Sequence, residues 1–232
     1  MRHEGLIRYA LQQELLLSRV HPWELAWREG RWEETSPPLA EVVEFASELK
    51  REKARTILDL GCGAGRHAIL LAKEGFQVVA LDVSETALRT LDSRLTNSSV
   101  GKVALVEHEM NELPFIENYF DGVVSTNVLH HGKLVEIKKT VDELYRVMKP
   151  EASGFIIALS ASDFRKGTGA KLEHNTYVFT RGEEKGIVHH FFTRQELQSC
   201  LRKFDVTSFK ERLIPIEQGG NRAHFLVKIR KT

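Results

Sequence analysis

Cysteine is nearly absent. Cys62 and Cys200 are the only two in 232 residues, too few for a disulfide framework or a multi-cysteine metal site, and their scarcity suits a reducing cytoplasm. Net charge is equally scarce: 33 basic residues stand against 32 acidic ones, leaving no large field to hold a polyanion over many phosphates. Long apolar runs are also missing. Near the start, Leu15-Leu16-Leu17 is surrounded by Arg8, Gln12, Glu14 and Arg19, which excludes a signal or membrane-spanning segment there and reads as an amphipathic helix. No fixed-period repeat or low-complexity tract interrupts the chain. The expected protein is cytoplasmic, with no membrane partner.

A hydrophobic share of 42% and a charged share of 28% separate the chain from disordered sequences, and its length suits one domain. Residues up to about Lys53 read as helical: Leu6, Ala10, Leu11 and Leu15 form one apolar face, and Leu39, Val42, Val43, Ala46 and Leu49 another. From Thr56 strand and helix alternate. Thr56 to Leu60 reads as a buried strand, Arg66 to Glu74 as a helix ended by Gly75, and Gln77 to Asp82 as the next strand, completing a βαβ unit. Ser84 caps a second helix carrying Ala87, Leu88, Leu91 and Leu95. Strands follow over Val103 to Glu109, Phe120 to Thr126 and Phe155 to Leu159, the last two separated by a helix with Ile137, Val141, Leu144 and Met148 on one face. Thr193-Arg194-Gln195-Glu196 is a capping box for a last helix. The runs Val206 to Ile216 and His224 to Ile229 are joined too closely for a parallel crossover, so they predict an antiparallel hairpin.

Asp59-Leu60-Gly61-Cys62-Gly63-Ala64-Gly65 lies where the first strand meets the first helix, the place where open α/β sheets bind ligands. Glycine lets a ligand reach the main chain there, and the helix start offers unpaired N–H groups. At the end of the second strand, the Asp82 carboxylate can accept both hydroxyls of a ribose, pointing to a nucleoside-derived ligand. A dinucleotide fingerprint would read G-x-G-x-x-G. Here the glycines run G-x-G-x-G, and Arg66 stands where the third would fall.

These residues resemble the first two motifs of class I S-adenosylmethionine-dependent methyltransferases, Ile57 to Gly65 and Val79 to Ser84. His108-Glu109-Met110 with Leu113-Pro114-Phe115 resembles the third, Phe120 to Ser125 the fourth, and Leu144 to Pro150 the helix before the fifth strand. The resemblance implies a Rossmann-like three-layer α/β sandwich with a mixed seven-stranded sheet and terminal antiparallel hairpin. It divides the chain into an N-terminal helical cap (1–53), a cofactor-binding core (54–160) and a variable substrate-side segment with the last helix and hairpin (161–232). It implies that Asp59, Gly61, Gly63 and Gly65 surround the methionine part of S-adenosylmethionine, that Asp82 binds its ribose, and that Val83 packs on its adenine. Glu109, beside Met110, approaches the adenine amino group, where the family more often has Asp. Asn127 faces the methionine part or the acceptor.

The expected activity is methyl transfer to a small-molecule acceptor, leaving S-adenosylhomocysteine. No metal is required. His130 and His131 are candidate bases because imidazole titrates near neutrality, with a hydrogen-bonded loop pair as the plainer reading. Asn127 is a further catalytic candidate. With His189 and His190 these histidines raise a metal site, but no ligand spacing supports one, and polar lining is favoured. Tyr9, Trp27, Trp32, His174, Tyr177 and His190 are substrate-side candidates, and Trp23 shares a helical face with Trp27. Cys62 reads as a small core residue. Two alternatives stay open: an RNA methyltransferase, if Lys50, Arg51, Lys53 and Arg55 gather near Arg165, Lys166 and Lys171, and a non-catalytic cofactor-binding regulatory partner.

Overall fold

The computed structural model describes residues 20–31, 36–96, 100–217 and 219–232. Expectations for Leu6, Tyr9, Ala10, Leu11, Leu15 and Trp32 lie outside these residues. Two helices, α1 (Pro22–Arg28) and α2 (Ala40–Arg51), precede the alternating region β1 (Thr56–Leu60), α3 (Arg66–Lys73), β2 (Gln77–Asp82), α4 (Glu85–Thr96) and β3 (Val103–Glu107). It continues through β4 (Phe120–Thr126), α5 (Leu134–Val147) and β5 (Met148–Leu159). Three short strands follow, β6 (Ala170–Glu173), β7 (Thr176–Val178) and β8 (Val188–His190), then α6 (Arg194–Cys200), β9 (Asp205–Pro215) and β10 (Asn221–Arg230).

The large sheet has the order β3-β2-β1-β4-β5-β10-β9. Its first five strands are parallel, and β10 runs antiparallel to both β5 and β9. Alternation along each strand feeds two cores. Leu58, Leu60, Val79, Leu81, Ile156 and Ala158 face α5 and α6, whereas Ile57, Val78, Ala80, Phe155 and Ile157 face α2, α3 and α4. A parallel sheet covered on both sides needs such near-continuous apolar strands. Chain order reverses at β1, between β2 and β4, which opens a crevice at the strands' carboxyl ends.

Ser84 caps α4 as expected, its Oγ accepting the Ala87 N–H at 3.1 Å, and Thr193 and Glu196 form the reciprocal box on α6. Other expectations need correction. On α2 the buried face is Val42, Phe45, Ala46 and Leu49, while Val43 is 43% exposed, because the sheet contact follows a three-four spacing through Phe45. The fifth strand starts at Met148, opposite Phe120, and resumes at Ser153 opposite Gly122, so Lys149 to Ala152 bulge out and Glu151 takes a left-handed φ of 66°. The third strand ends at Glu107, leaving His108 and Glu109 in the following loop. The ladder β6-β7-β8 forms a separate antiparallel sheet within residues 161–232 that no local pattern in the sequence predicts.

Candidate active site

At the crevice lies a cavity of about 450 Å³, within the roughly 300–1,000 Å³ range of small-molecule sites. Its floor is the glycine turn. Gly61 and Gly63 adopt left-handed φ angles of 68° and 53°, and their backbones line the cavity directly. A Cβ on Gly61 would overlap the Val128 isopropyl group, so no side chain fits there. Asp82 braces the turn: its Oδ2 accepts the Gly63 N–H and its Oδ1 the Ser84 N–H, both at 2.9 Å. Burial raises the Asp82 pKa, against the pull of those amides. Asp82 itself lines the cavity, which puts its carboxylate beside any ligand held there.

Val83, Glu109, Met110 and Asn127 join Gly61, Gly63 and Asp82 in the lining. Asn127 holds a left-handed φ of 61°, with its N–H bonded to the Ile157 carbonyl. Asp59 and Gly65 do not reach the cavity. Asp59 lies on the α3 side of β1, where burial raises its pKa to about 7 against a backbone bond from Ala68. Gly65 is the left-handed N-cap of α3, packed against Leu91 so closely that a Cβ would overlap that side chain.

The opposite wall comes from α1 and from the segment before β8. Trp23 and Trp27 line it with His21, Pro22, Gly186, Ile187 and Val188. Trp27 hangs over Gly63, 3.5 Å from where a Cβ would stand. His174, Tyr177 and His190 are not among the lining residues. His190 is instead buried against other partners, its Nδ1 2.8 Å from Thr176 Oγ1 and its Nε2 3.3 Å from Glu196 Oε2. Tyr177 packs edge-on against Phe191.

The candidate bases separate in the same way. His131 lines the cavity, edge-on to Trp23 at 4.9 Å, with Nδ1 3.3 Å from the Val188 carbonyl. Burial, then the neighbouring His189, lowers its pKa to about 3, so it is a neutral hydrogen-bonding group and a weak base. His130 is buried behind it, where Nδ1 accepts the Leu159 N–H at 3.2 Å. His189 stacks on Phe179, with Nε2 3.2 Å from Glu184. Among the described residues no group of three or more His, Cys, Asp or Glu side chains is placed to hold a metal ion. Cys62 borders the cavity as a thiol whose pKa is raised by burial and then by the Asp82 and Asp59 carboxylates.

Sequence reasoning missed His67. It sits one turn before Leu71 on the buried face of α3, a spacing that could have revealed it. Its Nε2 accepts the Leu39 N–H at 3.3 Å, which places the ring proton on Nδ1, 3.2 Å from Thr126 Oγ1 at the end of β4. Burial lowers its pKa to about 3. Both His67 and His131 therefore bind a proton near pH 6.5 when unfolded but not when folded, and stability falls as pH drops below about 6.5 toward 3. Asp59 opposes them: its raised pKa makes the folded state take up a proton between about 7 and 3.8. The melting temperature should therefore fall from pH 7.5 to 5.5, and fall further in Asp59→Asn; a flat profile in both proteins contradicts the assignment.

Residues 57–151 match the family model described as a methyltransferase domain. The chain is 29% identical to YqeM of Bacillus subtilis over 182 residues, 72% of this chain and 70% of that protein. It is 39% identical over 94 residues to a demethylmenaquinone methyltransferase of Clavibacter sepedonicus, spanning 40% of this chain and 37% of that one. Residues 57–151 thus carry a methyltransferase domain that resembles the class I S-adenosylmethionine-dependent methyltransferases. The methyltransferase fold recurs in a Burkholderia thailandensis 1,6-didemethyltoxoflavin-N1-methyltransferase structure with bound S-adenosylhomocysteine, at 21% identity and a TM-score of 0.66, over 97% of this chain and 89% of that one.

The residues that line the cavity fit S-adenosylmethionine. A cradle at Gly61 that a Cβ would fill, the Asp82 oxygens beside it and the apolar Val83 and Met110 side chains match a main-chain contact, a ribose and an adenine in turn. No helix among the described residues is long and apolar enough to cross a membrane.

Proposed function

We propose that this methyltransferase acts on a small, ring-bearing acceptor held between the glycine turn and the wall formed by Trp23, His131, Ile187 and Val188. The composition of the lining carries the reading: two tryptophan rings and several aliphatic side chains face the cavity, and Arg66 is its only lysine or arginine among the described residues. Bound S-adenosylmethionine supplies a methyl group on a sulfonium that departs as a neutral thioether. The protein's part is then to align the acceptor and exclude water, with His131 as a neutral hydrogen-bond partner. A ring acceptor also agrees with the name of the Clavibacter relative.

The RNA reading loses its basic rim. Lys50, Arg51, Lys53 and Arg55 lie at the amino end of β1, away from the carboxyl-end crevice, and Lys50 pairs with Glu74. Arg165 is held by Asp163 at 2.8 Å and Glu184 at 3.4 Å. Incubation with methyl-labelled S-adenosylmethionine and separated cell extract should place label in the small-molecule fraction; label in RNA, or calorimetry without S-adenosylhomocysteine binding, contradicts the proposal.

A further inference from the structure

Helix α1, which carries Trp23 and Trp27 into the cavity wall, is fastened by one buried-edge carboxylate. Glu24 Oε2 accepts the Ser84 hydroxyl at 2.6 Å and the Thr86 N–H at 3.1 Å, and Oε1 accepts the Thr86 hydroxyl at 2.8 Å. The Glu24 side chain is 15% exposed. All three bonds land on the start of α4, where unpaired amides and the helix dipole favour an anion. Burial works against the charge, yet the bonds from Ser84 and Thr86 outweigh it and hold the Glu24 pKa below its ordinary value.

Ser84 is the point of contact with the cofactor side. Its hydroxyl binds Glu24, while its own N–H binds Asp82 Oδ1 at 2.9 Å. Asp82 Oδ2 in turn holds the Gly63 N–H, and Trp27 lies over Gly63. The path therefore closes on itself: Glu24, Ser84, Asp82, Gly63, Trp27 and back along α1 to Glu24. A shift of Asp82 or of the glycine turn alters both ends of α1, one through a hydrogen bond and one through packing.

We propose that Glu24 is a positioning residue that couples the Asp82 ribose site to the Trp23 and Trp27 wall, so that cofactor binding and the setting of the acceptor wall share one free energy. The inference rests on the cofactor reading. Linkage requires that whatever loosens α1 also weakens cofactor binding, and that the bound cofactor tightens α1 in return.

The test uses the full chain with S-adenosylhomocysteine as the probe. In a Trp32→Phe background, emission reports Trp23 and Trp27 alone, and probe binding should change it. Glu24→Gln should weaken the probe about five- to tenfold and reduce the emission change, and Thr86→Val should do the same to a smaller degree. Combined with Asp82→Ala, the Glu24→Gln effect should largely vanish, because the two act through Ser84. A change in melting temperature alone, with unaltered affinity and emission, overturns the coupling, as does full multiplicativity of the two substitutions. Should Glu24→Gln not fold, unchanged affinity and emission in Thr86→Val overturns it equally. Absence of probe binding in the unsubstituted protein overturns the cofactor reading itself, and the coupling with it.

Discussion

Asp82→Ala is expected to weaken S-adenosylhomocysteine binding by about 100-fold or more. The carboxylate has two duties. It anchors the glycine turn through the Gly63 and Ser84 amides, and on the proposed reading it also accepts ribose hydroxyls. A hydrogen bond to a charged group contributes about 1.5–3 kcal/mol, and tenfold in affinity corresponds to about 1.4 kcal/mol, so the loss of two such bonds accounts for that factor. Calorimetric titration of both proteins decides it, with melting curves to establish that the variant is folded. Affinity within a few-fold of the unsubstituted protein would remove Asp82 from the binding role.

Gly65→Ala should be strongly destabilising, although Gly65 does not border the cavity. The residue sits at a φ of 79°, where a side chain costs about 1–2 kcal/mol, and the new methyl would overlap Leu91, adding about 1–3 kcal/mol of overpacking. For a chain of this size the total corresponds to a melting temperature lower by roughly 5–20 °C. Gly63→Ala provides the contrast. Its φ of 53° also strains a side chain, but the nearest atom, on Trp27, would be at an ordinary 3.5 Å. Its stability loss should be the smaller, with the larger effect on cofactor affinity. Equal melting temperatures for Gly65→Ala and the unsubstituted protein would contradict the packing argument.

Those two glycines illustrate how much of the molecule was legible in advance. The run from Thr56 to Asp82 declares strand, turn, helix and strand because each signal is local: apolar alternation, glycines at left-handed positions and a capping glycine at Gly75. The place of Asp82 at the crevice follows from the end of β2. Which glycines border the cavity and which only pack depends on Val128 and Leu91, distant in sequence, and no local pattern records that.

The histidines were the hardest to place. The pair after β4 suggested a base because free imidazole titrates near neutrality, yet burial beside His189 removes that property from His131, and His130 turns its Nδ1 to the Leu159 amide. Both outcomes are set by β5 and β8, far along the chain. His190 is off the cavity for a related reason: the partners that hold it, Thr176 on β7 and Glu196 on α6, lie on other elements that no local pattern around it records. The N-terminal tryptophans were easier. Their spacing already put Trp23 and Trp27 on one face, and α1 turns that face toward the glycine turn.

The ladder β6-β7-β8 stands apart from the seven-stranded sheet, yet the residues leading into its last strand, Gly186 to Val188, close the far side of the cavity. On the proposed function, selectivity is built on a different scaffold from the one that grips the nucleoside. On that same reading residues 170–190 form an exchangeable faceplate, so redesign there should alter which molecules are admitted while leaving the grip on the methyl donor in place.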